Sequence, residues 1–258
     1  YLARLNLYLQ ARVPADDRTN LLFESVENVP VERIDAEGLG QIAASLVDKY
    51  PRVAEDYLIA LEDEYPDSRH YSYALYTRAQ LLMQEGDFDE ARWHLAQFRA
   101  ESPMHPLTID ATLDYAETLT KTGDYEQART VLEDLLRLRQ AKGRPHAKAL
   151  LALSQNEAAA GNLKRAVPYA QRVYNVYRAY HGLAAEGYLM SALQLEALNE
   201  TVIAYKTLDE MLANPLMAKL ALANEAKEKR LALLELLPEG ALDETVAEIA
   251  KLTEEVSE

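Results

Sequence analysis

Residues 86–98 read GDFDEARWHLAQF and residues 123–135 read GDYEQARTVLEDL: a glycine, an aspartate, an aromatic, two polar or acidic residues and Ala-Arg recur after 37 positions. A chain that writes one pattern twice at this spacing folds as copies of a single supersecondary unit, each too small to bury its own apolar face and completed by its neighbour. Fainter copies extend the series. The turn glycine returns as Gly161 in GNLKRAVPYA and as Asn199 in NETVIAYKTL, and Lys49 takes its place in KYPRVAEDYL, at successive gaps of 37, 37, 38 and 38.

Each recurring position has a physical reason. Glycine, with asparagine next best, suits the end of a helix, where the backbone often turns left-handed. A short turn then lets a second helix run back along the first. Five residues after the turn residue stand Ala54, Ala91, Ala128, Ala166 and Ala204; a side chain this small lets two helix axes approach closely. Four and seven residues further on come Leu58 and Leu61, Leu95 and Phe98, Leu132 and Leu135, Ala170 and Val173, Leu208 and Met211. That spacing puts them on one face of the second helix, the face that must be buried. Composition agrees: 49% hydrophobic residues predict a folded chain, and 9 glycines and 10 prolines among 258 residues are too few for a β-rich chain that must turn often.

The pattern resembles the tetratricopeptide repeat family, whose marks are a small residue in the first helix, glycine and an aromatic at the turn, alanine in the second helix and a closing proline. The small residue reads Ala79, Ala116, Ser154 and Ala192, with Ile42 departing; the turn aromatics are Phe88 and Tyr125; the closing proline is Pro66 and Pro103, and nearly so Pro215. The resemblance implies an all-α, right-handed superhelical solenoid of antiparallel helix pairs. The repeats would occupy residues 35–217, in units of about 35–71, 72–108, 109–146, 147–184 and 185–217, with helical caps at 1–34 and 218–258. The period exceeds the family's by a few residues, which predicts longer loops between units or an extra half-turn of helix. Within the caps, YLARLNLYLQARV, DRTNLLFESVEN, LANEAKEKRLALLELL and LDETVAEIAKLTEEV are helical by apolar spacing.

No catalytic, cofactor or metal constellation is assigned. The five histidines show no ligand spacing, no GxSxG elbow or phosphate-cradling GxxxxGK occurs, and EGLGQIA at 37–43 reads as the start of a helix rather than a dinucleotide loop. No acidic residue is expected in an apolar setting that would raise its pKa. With no cysteine there is neither disulfide nor thiolate chemistry, and no apolar run of membrane-spanning length is present. The chain opens on Tyr1, so preceding material is expected.

The expected work is binding. The resemblance implies a groove lined by positions thirteen, ten, six and three before each turn residue. Tyr73, Tyr76, Gln80, Met83, Leu113, Glu117, Lys148 and Gln155 are the candidates there, for a protein or peptide partner. Only Lys148 resembles the lysine and asparagine set with which some family members hold C-terminal carboxylates. A second candidate is electrostatic. The net charge of −15 argues against simple nucleic-acid binding, yet between Asp134 and Glu186 stand Arg137, Arg139, Lys142, Arg144, Lys148, Lys164, Arg165, Arg172 and Arg178 against one acid, Glu157. Lys164, Arg165, Arg172 and Arg178 lie among Tyr169, Tyr174, Tyr177 and Tyr180, a composition that suits an acidic or aromatic partner. The alternatives are polyanion binding by residues 137–178, and self-association as a module of a longer chain. The segment YPRVAEDYLIALEDEYPDS is similar to cell-envelope members of the family, which implies a periplasmic or envelope location, the cytoplasm being the alternative.

Overall fold

The computed structural model describes residues 15–26, 29–238 and 240–242. The regular elements among them are all helical: twelve α-helices and three short 3-10 turns. The segments 1–13 and 242–256, predicted as cap helices, lie essentially outside the described residues. The chain divides after Thr122 into two compact units.

The first unit holds α1 (Ala15–Val26), α2 (Ala36–Leu46), α3 (Pro51–Glu64), α4 (Tyr71–Glu85), α5 (Phe88–Glu101) and α6 (Thr108–Lys121), and each helix packs on the next. Asp35 starts α2 by accepting a hydrogen bond from the Gly38 amide at 2.8 Å, so EGLGQIA does open a helix. Gly40 permits close packing there, since a Cβ on it would come within 2.9 Å of His70 Nδ1. Leu22 and Val26 of α1 join Leu39, Ile42, Leu46, Leu58 and Leu61 in one core, and Phe23 stacks on Tyr50 with ring centroids 4.5 Å apart.

The second unit holds α7 (Tyr125–Arg137), α8 (Arg144–Ala159), α9 (Leu163–Val176), α10 (His181–Ala197), α11 (Thr201–Ala213) and α12 (Leu222–Leu236), again each against the next. Its core is built from Val167, Tyr174, Leu189, Leu195, Leu208, Met211 and Leu233. Ser154 of α8 donates to the Ala166 carbonyl of α9 at 2.9 Å, a contact possible only because both positions carry small side chains.

The repeat register read from sequence is the packing register. Ala54, Ala91, Ala128, Ala166 and Ala204 have no exposed surface; nor have Leu58, Leu95, Leu132, Ala170 and Leu208 four residues on. Each buried leucine contributes roughly 1.5–3 kcal/mol relative to exposure. The turns agree at four of five places: Gly86 (φ 87°), Gly123 (86°), Gly161 (79°) and Asn199 (63°) are left-handed. Lys49 departs, because Pro51 in the first turn of α3 starts that helix instead. The longer period has two sources. Residues 65–70, 102–107 and 138–143 are extended inter-unit connections, whereas 177–180 is short and the extra length goes into α10, at 17 residues. On α12 the buried residues are Ala223, Ala226 and Leu233, while Leu231 and Leu234 are exposed.

Candidate protein-interaction surfaces

In the repeats that turn at Gly86, Gly123, Gly161 and Asn199 the four residues predicted to line each groove segment divide by position in the same way; in the first repeat Ala43, six before Lys49, is buried like Leu39, ten before it. Ten before the turn the side chain is buried: Tyr76, Leu113, Leu151 and Leu189. Six before the turn it is exposed: Gln80 and Glu117 in the first unit, Gln155 and Leu193 in the second. Tyr73, Met83 and Lys148, at the remaining positions, are half-buried. In those four repeats the first-helix face therefore presents one open residue over an apolar support.

In the first unit that support is polar at its tip. The Tyr76 hydroxyl donates to Asp114 Oδ2 of α6 at 2.9 Å and accepts from Gln80 Nε2 at 3.1 Å, while its ring meets Phe98 at a centroid distance of 5.4 Å. Burial, then the Asp114 carboxylate, pushes the phenol pKa well above its ordinary value, so the hydroxyl stays a donor. Tyr73 packs on the core of α2 and α3.

Contacts that sequence reasoning missed join consecutive repeats within the first unit. Thirteen after one turn residue meets eight before the next: Glu62 with Arg78, and Arg99 with Tyr115. The first is an ion pair of 2.8 Å between side chains 8% and 13% exposed. The second is a guanidinium 4.5 Å from a ring centroid. His94, 2% exposed, lies 3.6 Å from the Glu62 carboxylate. Burial pushes Glu62 up to about 7 against the opposing pull of Arg78, and it pushes His94 down to about 4, with Arg78 adding to the effect. The expectation that no carboxylate sits in an apolar setting is thus corrected. Glu62 belongs to an acidic run, LEDEY, that reads as a solvated face.

The basic run separates into two places in the second unit. Its single acid is already engaged: Glu157, 1% exposed, pairs with Arg129 of α7. The connections 138–143 and 177–180 lie at one edge: the Tyr177 hydroxyl is 2.8 Å from Nδ1 of His146, in the first turn of α8, and the Tyr180 hydroxyl lies beside Gly143. Arg139 and Lys142 stand on the first, with Arg137 and Arg144 at the helix ends that flank it, Arg178 stands on the second, and Arg172 is close enough to His146 to help lower its pKa, after burial. Lys164 and Arg165 are exposed at the other end of α9, about 18 Å along the axis from its last residue at 1.5 Å per residue. Tyr169 and Tyr177 are half-buried and Tyr174 stacks on Tyr188 with centroids 3.8 Å apart, so most of the tyrosines serve packing.

Residues 82–154 match the family model described as tetratricopeptide repeat. Over these residues the chain is similar to tetratricopeptide repeats. Two solved structures share the fold. One is a tetratricopeptide repeat protein from Parabacteroides merdae, at 15% identity and a TM-score of 0.61, covering 86% of this chain and 84% of that one. The other is yeast Tom70, at 12% identity and a TM-score of 0.54, covering 95% of this chain. This chain spans about half of Tom70, 49% of its length. No curated protein matches the sequence. Among the described residues, no helix of this repeat protein is long and apolar enough to cross a membrane, and no group of three or more histidine and carboxylate side chains is placed to hold a metal ion.

Proposed function

We propose that this protein is an interaction scaffold that works by holding a protein or peptide partner, without chemistry of its own, on the open face of its first helices. The observation that carries the reading is the repeated exposure pattern. Gln80 and Glu117 in one unit, Gln155 and Leu193 in the other, are the residues left to solvent above buried Tyr76, Leu113, Leu151 and Leu189. A rigid support with one free side chain per turn of the repeat suits recognition, because the partner meets groups whose positions are already fixed. The free residues, amide and carboxylate in the first unit and amide and aliphatic in the second, favour a partner of mixed character over a uniformly charged one.

Photo-crosslinking amino acids placed singly at 80, 117, 155 and 193 test this in extract of the source cells. Within a unit the same partner is expected to be captured from both sites, 80 and 117 or 155 and 193, and from none of the outward sites on second helices, such as exposed Trp93. Capture from the second-helix sites alone would refute it.

A further inference from the structure

The second unit has a cationic edge that the first-helix face does not include. Arg139, Lys142, Arg144, Arg172 and Arg178 are exposed, and among the described residues none of the five is ion-paired with a carboxylate. In a chain of net charge −15, acids are abundant, so this vacancy of counter-charge is a property of the edge. The edge is also apolar: Leu138 is 45% exposed, Val176 61% and Tyr180 37%. Tyr177 stacks on Tyr180 with centroids 6.4 Å apart and locks onto His146, which fixes the two connections against each other.

We infer that this edge docks an acidic peptide segment that carries apolar side chains, the carboxylates meeting the guanidinium groups and the apolar groups seating on Tyr180, Val176 and Leu138. Arginine with tyrosine and aliphatic surface is the composition of protein interfaces, and planar guanidinium groups pair carboxylates in two-point fashion. A bare polyanion would leave the apolar part of the edge unused. The inference rests on the reading of the chain as a protein-binding scaffold and gives it a second surface with its own partner chemistry.

The test uses the full chain and three fluorescein-labelled probes: a peptide of sequence EELEEFEELE, a polyglutamate of equal length and a single-stranded oligothymidine of equal length. The mixed peptide is expected to bind most tightly. Arg144→Glu with Arg178→Glu should weaken it at least about ten-fold, and Lys164→Glu with Arg165→Glu, an equal change of charge at the far end of α9, by less than about two-fold. Arg144→Lys with Arg178→Lys should lose less than the charge reversal; if the reversed variant unfolds, the neutral pair Arg144→Gln and Arg178→Gln should weaken the peptide in its place. Oligothymidine binding as tightly as the mixed peptide would overturn the inference in favour of a polyanion surface. Equal weakening by both charge-reversed pairs would overturn it in favour of a diffuse field. Absence of peptide binding would overturn it while leaving the crosslinks at 80, 117, 155 and 193 intact.

Discussion

Glu62 and His94 face each other from α3 and α5, with His94 Nδ1 3.6 Å from Glu62 Oε2, and burial drives their proton affinities in opposite directions. The carboxyl rises from 4.5 to about 7 and the imidazole falls from 6.5 to about 4. On folding, then, Glu62 takes up a proton and His94 gives one up.

The Glu62 contribution to stability is full below pH 4.5 and is lost as pH rises through 7; the His94 contribution is full above 6.5 and is lost as pH falls through 4. Each slope approaches about 1.4 kcal/mol per pH unit, and between pH 4.5 and 6.5 they cancel. Urea unfolding at a series of pH values should therefore show little dependence from this pair in the wild type. His94→Gln should expose a stability that falls with rising pH, and Glu62→Gln one that rises. Two variants with the wild-type profile would show that neither group is held as described.

Arg78 is the hub of the same junction, 2.8 Å from Glu62 and 3.4 Å from Glu90. Arg78→Ala should cost about 1–3 kcal/mol by leaving the buried Glu62 carboxyl without its hydrogen-bond partner, whereas Glu62→Leu combined with Arg78→Met should be close to neutral. Chemical denaturation of the two variants separates these outcomes.

Helices α9 and α10 meet at Gly187, where an added Cβ would lie 2.9 Å from the Ala170 carbonyl and 3.3 Å from Val173 Cβ. Gly187→Ala is expected to cost about 1–3 kcal/mol. Gly182, in the first turn of α10, has nothing within 4 Å, and Gly182→Ala should stabilise by up to about 1 kcal/mol. Thermal unfolding of the pair reads the sign directly.

Asn199 holds the left-handed turn position at φ 63° that Gly86, Gly123 and Gly161 hold in earlier repeats. Asn199→Gly should stabilise by about 0.5 kcal/mol, and Gly86→Ala should destabilise by about 1 kcal/mol, since only the second forces a Cβ into that conformation.

What could be read from the sequence was what the period imposes. Alanines 54, 91, 128, 166 and 204 are buried because every repeat needs the same close approach, and a repeated need leaves a repeated letter. The Lys49 turn was misleading because Pro51 solved the same problem differently. The junctions were hidden for a related reason: Glu62–Arg78 and Arg99–Tyr115 do one job with unlike residues, so no pattern marks them. For the candidate surfaces, spacing identified the face but not the depth. Tyr76 and Gln80 are four residues apart on one helix, yet one is buried on Phe98 and the other open, a difference set by which helix stands opposite. Likewise the basic run was plain as letters, but the length of α9 puts Lys164 and Arg165 at its start and Arg178 just past its end.

The chain has no cysteine, so single cysteines report accessibility without background. Labelling rates with a thiol reagent, measured at residues 76, 80, 113, 117, 151, 155, 189 and 193, give the most direct reading of the repeated open row. Fast reaction is expected at 80, 117, 155 and 193 and slow reaction at 76, 113, 151 and 189, in the same order in each of these four repeats. Rates that fail to alternate, or that alternate in one repeat and not the others, would contradict it.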